Sequence, residues 1–166
     1  FPRVEGQVPV YYNYKKSGRP GDMPHSSTTR HIDVPNAPLY PFGYGLSYTT
    51  FSYSVPQSTQ KEYTRQETIS VSVTVTNTGD RDGEETVQLY VNDKVASVVR
   101  PVKELKAFKK IFLKAGESKT VQFDISPLAL GFYDAAMNYV VEPGELEIMT
   151  GCNSNDLQTI SVKLIN

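Results

Sequence analysis

Tryptophan is absent from this 166-residue sequence, cysteine occurs once, and neither sign of charge is in excess. The single cysteine, Cys152, excludes an internal disulfide, and no CxxC pair exists to suggest zinc. With 17 basic and 18 acidic residues, nothing favours binding to nucleic acid or to an anionic membrane surface. The longest apolar run is far shorter than the ~20 residues of a membrane span, and no signal peptide is visible. We therefore expect no nucleic-acid partner and no membrane span.

Motifs for catalysis or cofactor binding are also missing. The sequence has no GxSxG nucleophile elbow, no P-loop and no Rossmann glycine pattern. His25 and His31, with Asp22 and Asp33 nearby, are the one cluster that suggests a metal site. The spacing of the two histidines fits neither a helical pair nor a shared strand face, so the favoured interpretation is that they are linker histidines without a metal. Solvated surface charge explains the acidic residues, which include Asp80, Asp82, Glu84, Glu85, Glu142 and Glu145. We expect no catalytic residue, no metal and no cofactor.

Alternating apolar and polar residues predict a series of short strands after residue 50. The clearest run places Ile69, Val71, Val73 and Val75 on one strand face, with serine and threonine between them. Other strands are predicted at 51–55, 86–91, 103–113, 121–125, 139–141, 146–148 and 160–164. About seven or eight short strands without a long helix indicate an all-β chain, an immunoglobulin-like or fibronectin type III-like β-sandwich with an extended N-terminal linker.

Two of these regions carry additional expectations. In 103–113 the apolar positions Leu105, Phe108, Ile111 and Leu113 are unevenly spaced, which predicts a bulge or bend. The turn at 142–145 predicts that the strands on either side of it, 139–141 and 146–148, form a hairpin. Residues 127–136 break the alternation and are predicted to be a short helical or irregular crossover.

The segment 38–53, which we call the connector, holds six aromatic rings, two glycines and two prolines in sixteen residues. This composition suits neither an amphipathic helix nor a solvated linker, because rings of this size have to be buried against something. One interpretation is an ordered segment between two bodies of structure. The alternative is an ordinary loop that leads into the first strand of a β domain.

Before the connector, residues 7–14 are rich in β-branched and aromatic residues and predict a strand, with Pro9 favouring an edge position. A single strand cannot bury itself, so its partner sheet is expected outside this chain. The first residues, Phe1-Pro2, also lead us to expect part of a longer polypeptide. The predicted organisation is a terminal strand of a preceding α/β domain at 1–14, a linker with the connector at 15–50, and a sandwich at 51–166.

Several spaced motifs carry a resemblance to a known family. The run Pro38-Leu-Tyr-Pro-Phe-Gly-Tyr-Gly-Leu-Ser-Tyr-Thr-Thr-Phe51 closely resembles the segment that introduces the C-terminal fibronectin type III-like domain of glycoside hydrolase family 3, the β-glucosidase and β-xylosidase group. Gly83-Glu-Glu-Thr-Val-Gln-Leu-Tyr-Val91, Arg100-Pro-Val-Lys-Glu-Leu-Lys-Ala-Phe108 and Tyr139-Val-Val-Glu-Pro-Gly-Glu145 continue it. Upstream, Gly6-Gln-Val-Pro-Val-Tyr-Tyr-Asn13 resembles the last strand of the preceding α/β sandwich domain. One departure is Tyr14, where many relatives have histidine.

The resemblance implies a parent that is a retaining, exo-acting β-glycosidase working through a covalent glycosyl-enzyme intermediate. In that family the nucleophilic aspartate belongs to the barrel domain and the acid/base carboxylate usually to the α/β sandwich domain. Neither motif is present here, so the fragment alone is expected to be inactive. The resemblance further implies an extracytoplasmic location, periplasmic or secreted, and the catalytic domains of the same parent chain as partners.

Two functional hypotheses follow from different classes. In the first, the sandwich is a structural accessory domain that packs on the catalytic domains through connector residues: Leu39, Tyr40, Phe42, Tyr44, Leu46 and Tyr48. In the second, it is a carbohydrate-binding module that stacks sugar rings on exposed tyrosines such as Tyr90, Tyr133 or Tyr139. The first is favoured, because strand tyrosines more often pack in a core or rim and tryptophan, the usual flat platform, is absent.

Overall fold

The computed structural model describes residues 1–8, 10–15 and 34–166. Apart from a single 3-10 turn at Glu5–Gln7 and the short helix α1 at Pro127–Leu130, the regular structure of these residues consists of strands. The strands are β1 Phe51–Tyr53, β2 Gln57–Ser58, β3 Glu62–Thr64, β4 Ile69–Asn77, β5 Gly83–Asp93, β6 Glu104–Leu113, β7 Ser118–Ile125, β8 Phe132–Tyr133, β9 Tyr139–Val140, β10 Gly144–Gly151 and β11 Leu157–Ile165. The all-β prediction is confirmed.

Strand β4 is the centre of the first sheet, because its alternating sequence gives it an apolar face along its whole length. Ile69, Val71, Val73 and Val75 are at most 1% exposed, and the serines and threonines between them are partly exposed. β7 pairs with β4 antiparallel along one edge. β1 and β2 pair with the other edge.

The second sheet has the strand order β3-β11-β10-β5-β6, with β3 parallel to β11 and the other neighbours antiparallel. The register between β5 and β6 shifts, because Leu89 faces Ala107 while Tyr90 faces Leu105. Lys106 is therefore an extra residue on β6. This is the irregularity that the uneven apolar spacing of 103–113 predicted.

The hydrophobic core lies between the inner faces of the two sheets. Val87, Leu89 and Val91 of β5 point into it and are at most 4% exposed. From the first sheet, β7 adds Val121, Phe123 and Ile125 to the core. From the second sheet, β10 adds Leu146 and Ile148, and β11 adds Val162 and Leu164. The buried face predicted for β4 is thus confirmed, and on β5 the sequence left open which face is buried, which the structure shows to be that of Val87, Leu89 and Val91.

The strand predicted at 7–14 is not formed by the described residues there. Gln7 ends the 3-10 turn, and the nearest β contact is an isolated antiparallel bridge between Lys15 and Pro101. A strand needs a neighbouring strand for its backbone N–H and C=O groups, and residues 7, 8 and 10–14 form no ladder with one; Tyr14 contributes only a single backbone hydrogen bond, from the Val102 N–H at 2.9 Å. The assignment of residues 1–14 to a preceding domain remains a prediction.

The hairpin predicted across the turn at 142–145 is wrong. β9 pairs with β8, through Tyr139 opposite Tyr133, whereas β10 pairs with β5 and β11. Pairing with β5 and β11 buries the apolar face of β10 in the core, which a two-strand pairing with β9 would not achieve. His25 and His31 lie outside the described residues.

Candidate docking surface

The connector begins on the outer face of the second sheet, the face turned away from the core. The ring of Phe42 stacks on the ring of Tyr12, with centroids 4.2 Å apart and planes at 17°. Tyr12 in turn meets Tyr90 of β5 edge to face, at 5.8 Å and 72°. The Phe42 carbonyl accepts a hydrogen bond from the Ser154 N–H at 2.9 Å. The first part of the connector is therefore held against β5 and the β10–β11 loop.

Gly43 continues this contact at the next residue. Its carbonyl accepts a hydrogen bond of 3.0 Å from Nε2 of Gln88, a side chain that is 5% exposed. The second Nε2 hydrogen of Gln88 goes to the Cys152 carbonyl at 2.6 Å, and its Oε1 accepts from the hydroxyl of Tyr90. The buried amide of Gln88 is thus satisfied by joining the connector, the β10–β11 loop and β5.

At its other end the connector is held by Asn77, the last residue of β4, which is fully buried. Its Oδ1 accepts from the hydroxyl of Thr49 at 2.6 Å and from the Gly79 N–H at 3.1 Å. Its Nδ2 donates to the carbonyls of Arg81 at 2.7 Å and Leu113 at 3.2 Å. One amide therefore ties the connector to the β4–β5 turn and to the end of β6.

The residues just before the connector are organised by another buried amide. The side chain of Gln7 is 2% exposed, and its Nε2 lies within hydrogen-bond distance of the carbonyls of Pro35 at 2.8 Å and Ala37 at 3.1 Å. Its Oε1 accepts from the Arg3 N–H at 2.6 Å. Gln7 thereby fixes the N-terminal segment against the chain that leads into the connector.

With its backbone held at both ends, the connector still turns its large apolar side chains to solvent. Leu46 and Tyr48 are 89% and 92% exposed. Four more are between 44% and 47% exposed, namely Leu39, Tyr40, Phe42 and Tyr44, whereas Phe51 and Tyr53, at the start of the sandwich, pack against the core. Tyr40 and Tyr44 also lean on each other, with ring centroids 5.0 Å apart. An ordered segment that exposes a cluster of apolar side chains is typical of an interaction site.

Comparison with known proteins places this geometry in a family. The family model for the fibronectin type III-like domain matches residues 85–154. A periplasmic β-glucosidase of Salmonella typhimurium is 46% identical over 99% of this chain and 22% of its own length. The β-glucosidase BoGH3A of Bacteroides ovatus is 47% identical over 73% of this chain and 16% of its own. The crystal structure of a β-glucosidase from Listeria innocua in complex with gluconolactone superposes with a TM-score of 0.92 at 42% identity, over 100% of this chain and 23% of that one.

The chain belongs to the fibronectin type III-like domains of glycoside hydrolase family 3. The resemblance carried by the sequence motifs is thereby confirmed. The chain spans about a fifth of the length of these relatives.

The three tyrosines that the sequence suggested for sugar stacking, Tyr90, Tyr133 and Tyr139, differ in their exposure in this fibronectin type III-like domain. Tyr90 does not fit the expectation of a sugar-stacking ring, because it is fully buried beneath Tyr12 and its hydroxyl donates to Gln88. Tyr133 and Tyr139 face each other across the β8–β9 pair and are 60% and 48% exposed. Their rings meet at 5.2 Å and 67°, and the Tyr139 hydroxyl donates to the Leu128 carbonyl at 2.6 Å.

Glu85 departs from the expectation that the acidic residues are solvated. It lies on the inner face of β5, where its Oε1 accepts a hydrogen bond of 3.0 Å from the hydroxyl of Tyr53. Burial raises the pKa of the Glu85 carboxyl, and the bond from Tyr53 only partly opposes this rise. Burial and the nearby carboxylate likewise raise the pKa of the Tyr53 hydroxyl, which keeps it a donor.

Lys103 is a second partly buried ionisable group, beside the β10–β11 loop of the domain. Its ammonium donates to the Ser154 carbonyl at 2.6 Å, and burial lowers its pKa. Within 1–8, 10–15 and 34–166, no group of three or more His, Cys, Asp and Glu side chains is arranged to hold a metal ion. No helix among the same residues is long and apolar enough to cross a membrane.

The sequence interpretation missed two exposed rings on β6. Phe108 and Phe112 are 66% and 48% exposed, although both belong to one of the domain's long strands. The signal was available, because alternation from the buried Leu113 assigns Ile111 to the core face and Phe112 and Phe108 to the opposite face. The two rings therefore lie on the outer face of the second sheet.

Proposed function

We propose that the chain is a non-catalytic accessory domain of a longer retaining, exo-acting β-glycosidase of the β-glucosidase or β-xylosidase type, and that it packs on and stabilises the catalytic domains through its connector. The observation that carries this proposal is the contrast within the connector. Gln88 and Asn77 hold its backbone, while Leu46 and Tyr48 are 89% and 92% exposed. Each such side chain, once a catalytic domain covers it, contributes about 1.5–3 kcal/mol to the stability of the interface through the burial of its apolar area.

The relatives support a longer parent. The matching region is 22% and 16% of chains that are named β-glucosidases, so the partners we propose are other domains of the same polypeptide. We accordingly propose the division into a terminal strand of a preceding domain at 1–14, a linker with the connector at 15–50 and the sandwich at 51–166. The Salmonella relative is named periplasmic, and we propose an extracytoplasmic location for this chain as well.

The test is the thermal stability of the full-length enzyme with Leu46→Ala and Tyr48→Ala in the connector. We expect its thermal midpoint to fall, while the same changes in the 166-residue chain leave the midpoint nearly unchanged because both side chains are almost fully exposed there. Tyr133→Ala, a change of another exposed ring outside the connector, is the matched control. An unchanged midpoint of the full-length enzyme would remove the main support for the proposal.

Carbohydrate binding is the second candidate, because Tyr133 and Tyr139 remain exposed and the hydroxyl of Tyr139 is fixed by Leu128. If the chain binds carbohydrate there, it should be retarded in an affinity gel cast with polysaccharide, and Tyr133→Ala with Tyr139→Ala should abolish the retardation. Such a result would mean that the domain is more than a structural accessory. Migration that polysaccharide does not change would leave the docking function as the better account.

A further inference from the structure

Phe108 and Phe112 of β6 are exposed on the same sheet face that the connector approaches. In the β5–β6 ladder Phe108 stands opposite Gln88, and Phe112 stands opposite Glu84. The connector meets this face of β5 at Gly43, whose carbonyl accepts a hydrogen bond from Gln88. Its contact near Thr49 lies at Gly83, on the core side of β5. Phe108 therefore stands directly across the ladder from the residue that holds the connector, and Phe112 lies four residues further along β6.

Neighbouring strands lie about 4.8 Å apart, so Phe108 is a strand's width from the Gln88 that binds Gly43. Phe108 and Phe112 add two exposed apolar side chains on this face to those of the connector. Exposed apolar side chains grouped on one face are typical of an interaction site.

The edge of β6 is already in use, so an added strand is not the partner that this surface fits. The ammonium of Lys109 donates to the Gln122 carbonyl of β7, and that of Lys119 donates to the Phe112 carbonyl of β6 at 2.8 Å. Lysine side chains at a sheet margin oppose pairing with another strand. A partner can therefore contact β6 only through its outward face. On that face Lys110 lies between the two rings and forms an ion pair with Glu84 at 2.6 Å.

We propose that Phe108 and Phe112 form a second contact of the docking interface, and that the surface covering them is a neighbouring domain of the same polypeptide. This inference rests on the proposed function. A connector contact alone would tether the sandwich and leave it free to rotate, whereas contacts on the connector and on β6 fix its orientation. We choose this occupant because the Listeria chain that the domain matches is much longer, the domain covering 23% of it, so that a chain of such length supplies a neighbouring domain.

The test uses the full-length enzyme and the 166-residue chain, each with the pair Phe108→Thr and Phe112→Thr. Threonine keeps the strand propensity of β6, so we expect the isolated chain to keep its thermal midpoint and the full-length enzyme to lose several degrees. Tyr133→Thr, a strand ring of similar exposure, is the matched control. The pair Leu46→Ser and Tyr48→Ser tests the connector in the same experiment.

The outcomes separate the two proposals. If the connector pair lowers the midpoint of the full-length enzyme and the β6 pair does not, the second contact is wrong and the proposed function stands. If neither pair lowers it, the proposed function fails as well. If the β6 pair instead converts a dimeric full-length enzyme to a monomer in analytical ultracentrifugation, the occupant is a second copy and the inference is overturned.

Discussion

Gly43 and Gln88 approach so closely that no side chain fits at residue 43. A Cβ built on Gly43 would lie 2.0 Å from Oε1 of Gln88, and Gly43 also has a φ of +78°. The same approach brings the Gly43 carbonyl to 3.0 Å from Nε2 of Gln88. Glycine is therefore required twice at this residue, once for its backbone conformation and once for space.

This contact predicts the cost of Gly43→Ala. We expect the free energy of unfolding in urea to fall by about 2–4 kcal/mol, because alanine adds a left-handed strain and forces Gln88 away from its partners. Gly116→Ala isolates the backbone effect, since Gly116 has a φ of +75° and open space around it, and we expect it to cost about 1 kcal/mol. Gly45→Ala, with open space and no positive φ, should change stability by less than about 0.5 kcal/mol. Equal costs for Gly43 and Gly116 would contradict the close approach.

Asn77 should be one of the most sensitive polar residues of the domain. Asn77→Ala leaves Thr49 and the carbonyls of Arg81 and Leu113 without their buried partner, so we expect a loss of about 2–4 kcal/mol in urea unfolding. Thr49→Val removes one of these bonds and should cost about 1 kcal/mol. In the Asn77→Ala background, Thr49→Val should add little. Additive losses would mean that Thr49 and Asn77 act independently.

Glu85 predicts a pH dependence with a defined sign. Because burial raises the pKa of the folded carboxyl, the folded state binds its proton more tightly than the unfolded state. Stability therefore falls as the pH rises from the unfolded pKa of about 4.3 through the raised folded pKa, and the penalty remains at neutral pH. Glu85→Gln keeps an acceptor for Tyr53 without the charge. We expect its stability relative to the wild type to increase over this pH window; a difference that does not vary with pH would contradict a buried, destabilised carboxylate.

Strand positions were predictable where alternation alone determines burial. On β4 the apolar residues alternate with serine and threonine, and their face is buried as predicted. The alternating apolar residues of the strand predicted at 121–125, which is part of β7, are buried in the same core. The same rule, applied further, would have placed Glu85 on the inner face with Val87 and Leu89. The partner of β9 was not predictable, because a short apolar run beside a tight turn does not specify which neighbouring strand it pairs with.

The connector was recognisable from its composition, but the residues that hold it were not. Gln7, Asn77 and Gln88 are polar residues whose burial depends on carbonyls and hydroxyls brought near them by the fold. The partners of Gln7 lie 28 to 30 residues away in the chain, and the connector residue bonded to Gln88 lies 45 away. Sequence pattern contains no period that reports such contacts. Tyr90 was misjudged for the same reason, since Tyr12 covers it from a distant segment.

The most direct test of the docking account is hydroxyl-radical footprinting of Leu46 and Tyr48 in the full-length enzyme and in the 166-residue chain. In the chain both side chains should react rapidly, since they are 89% and 92% exposed. The account predicts strong protection of both in the full-length enzyme, with buried Phe123 unreactive in both samples. Equal reactivity of Leu46 and Tyr48 in the two samples would contradict it.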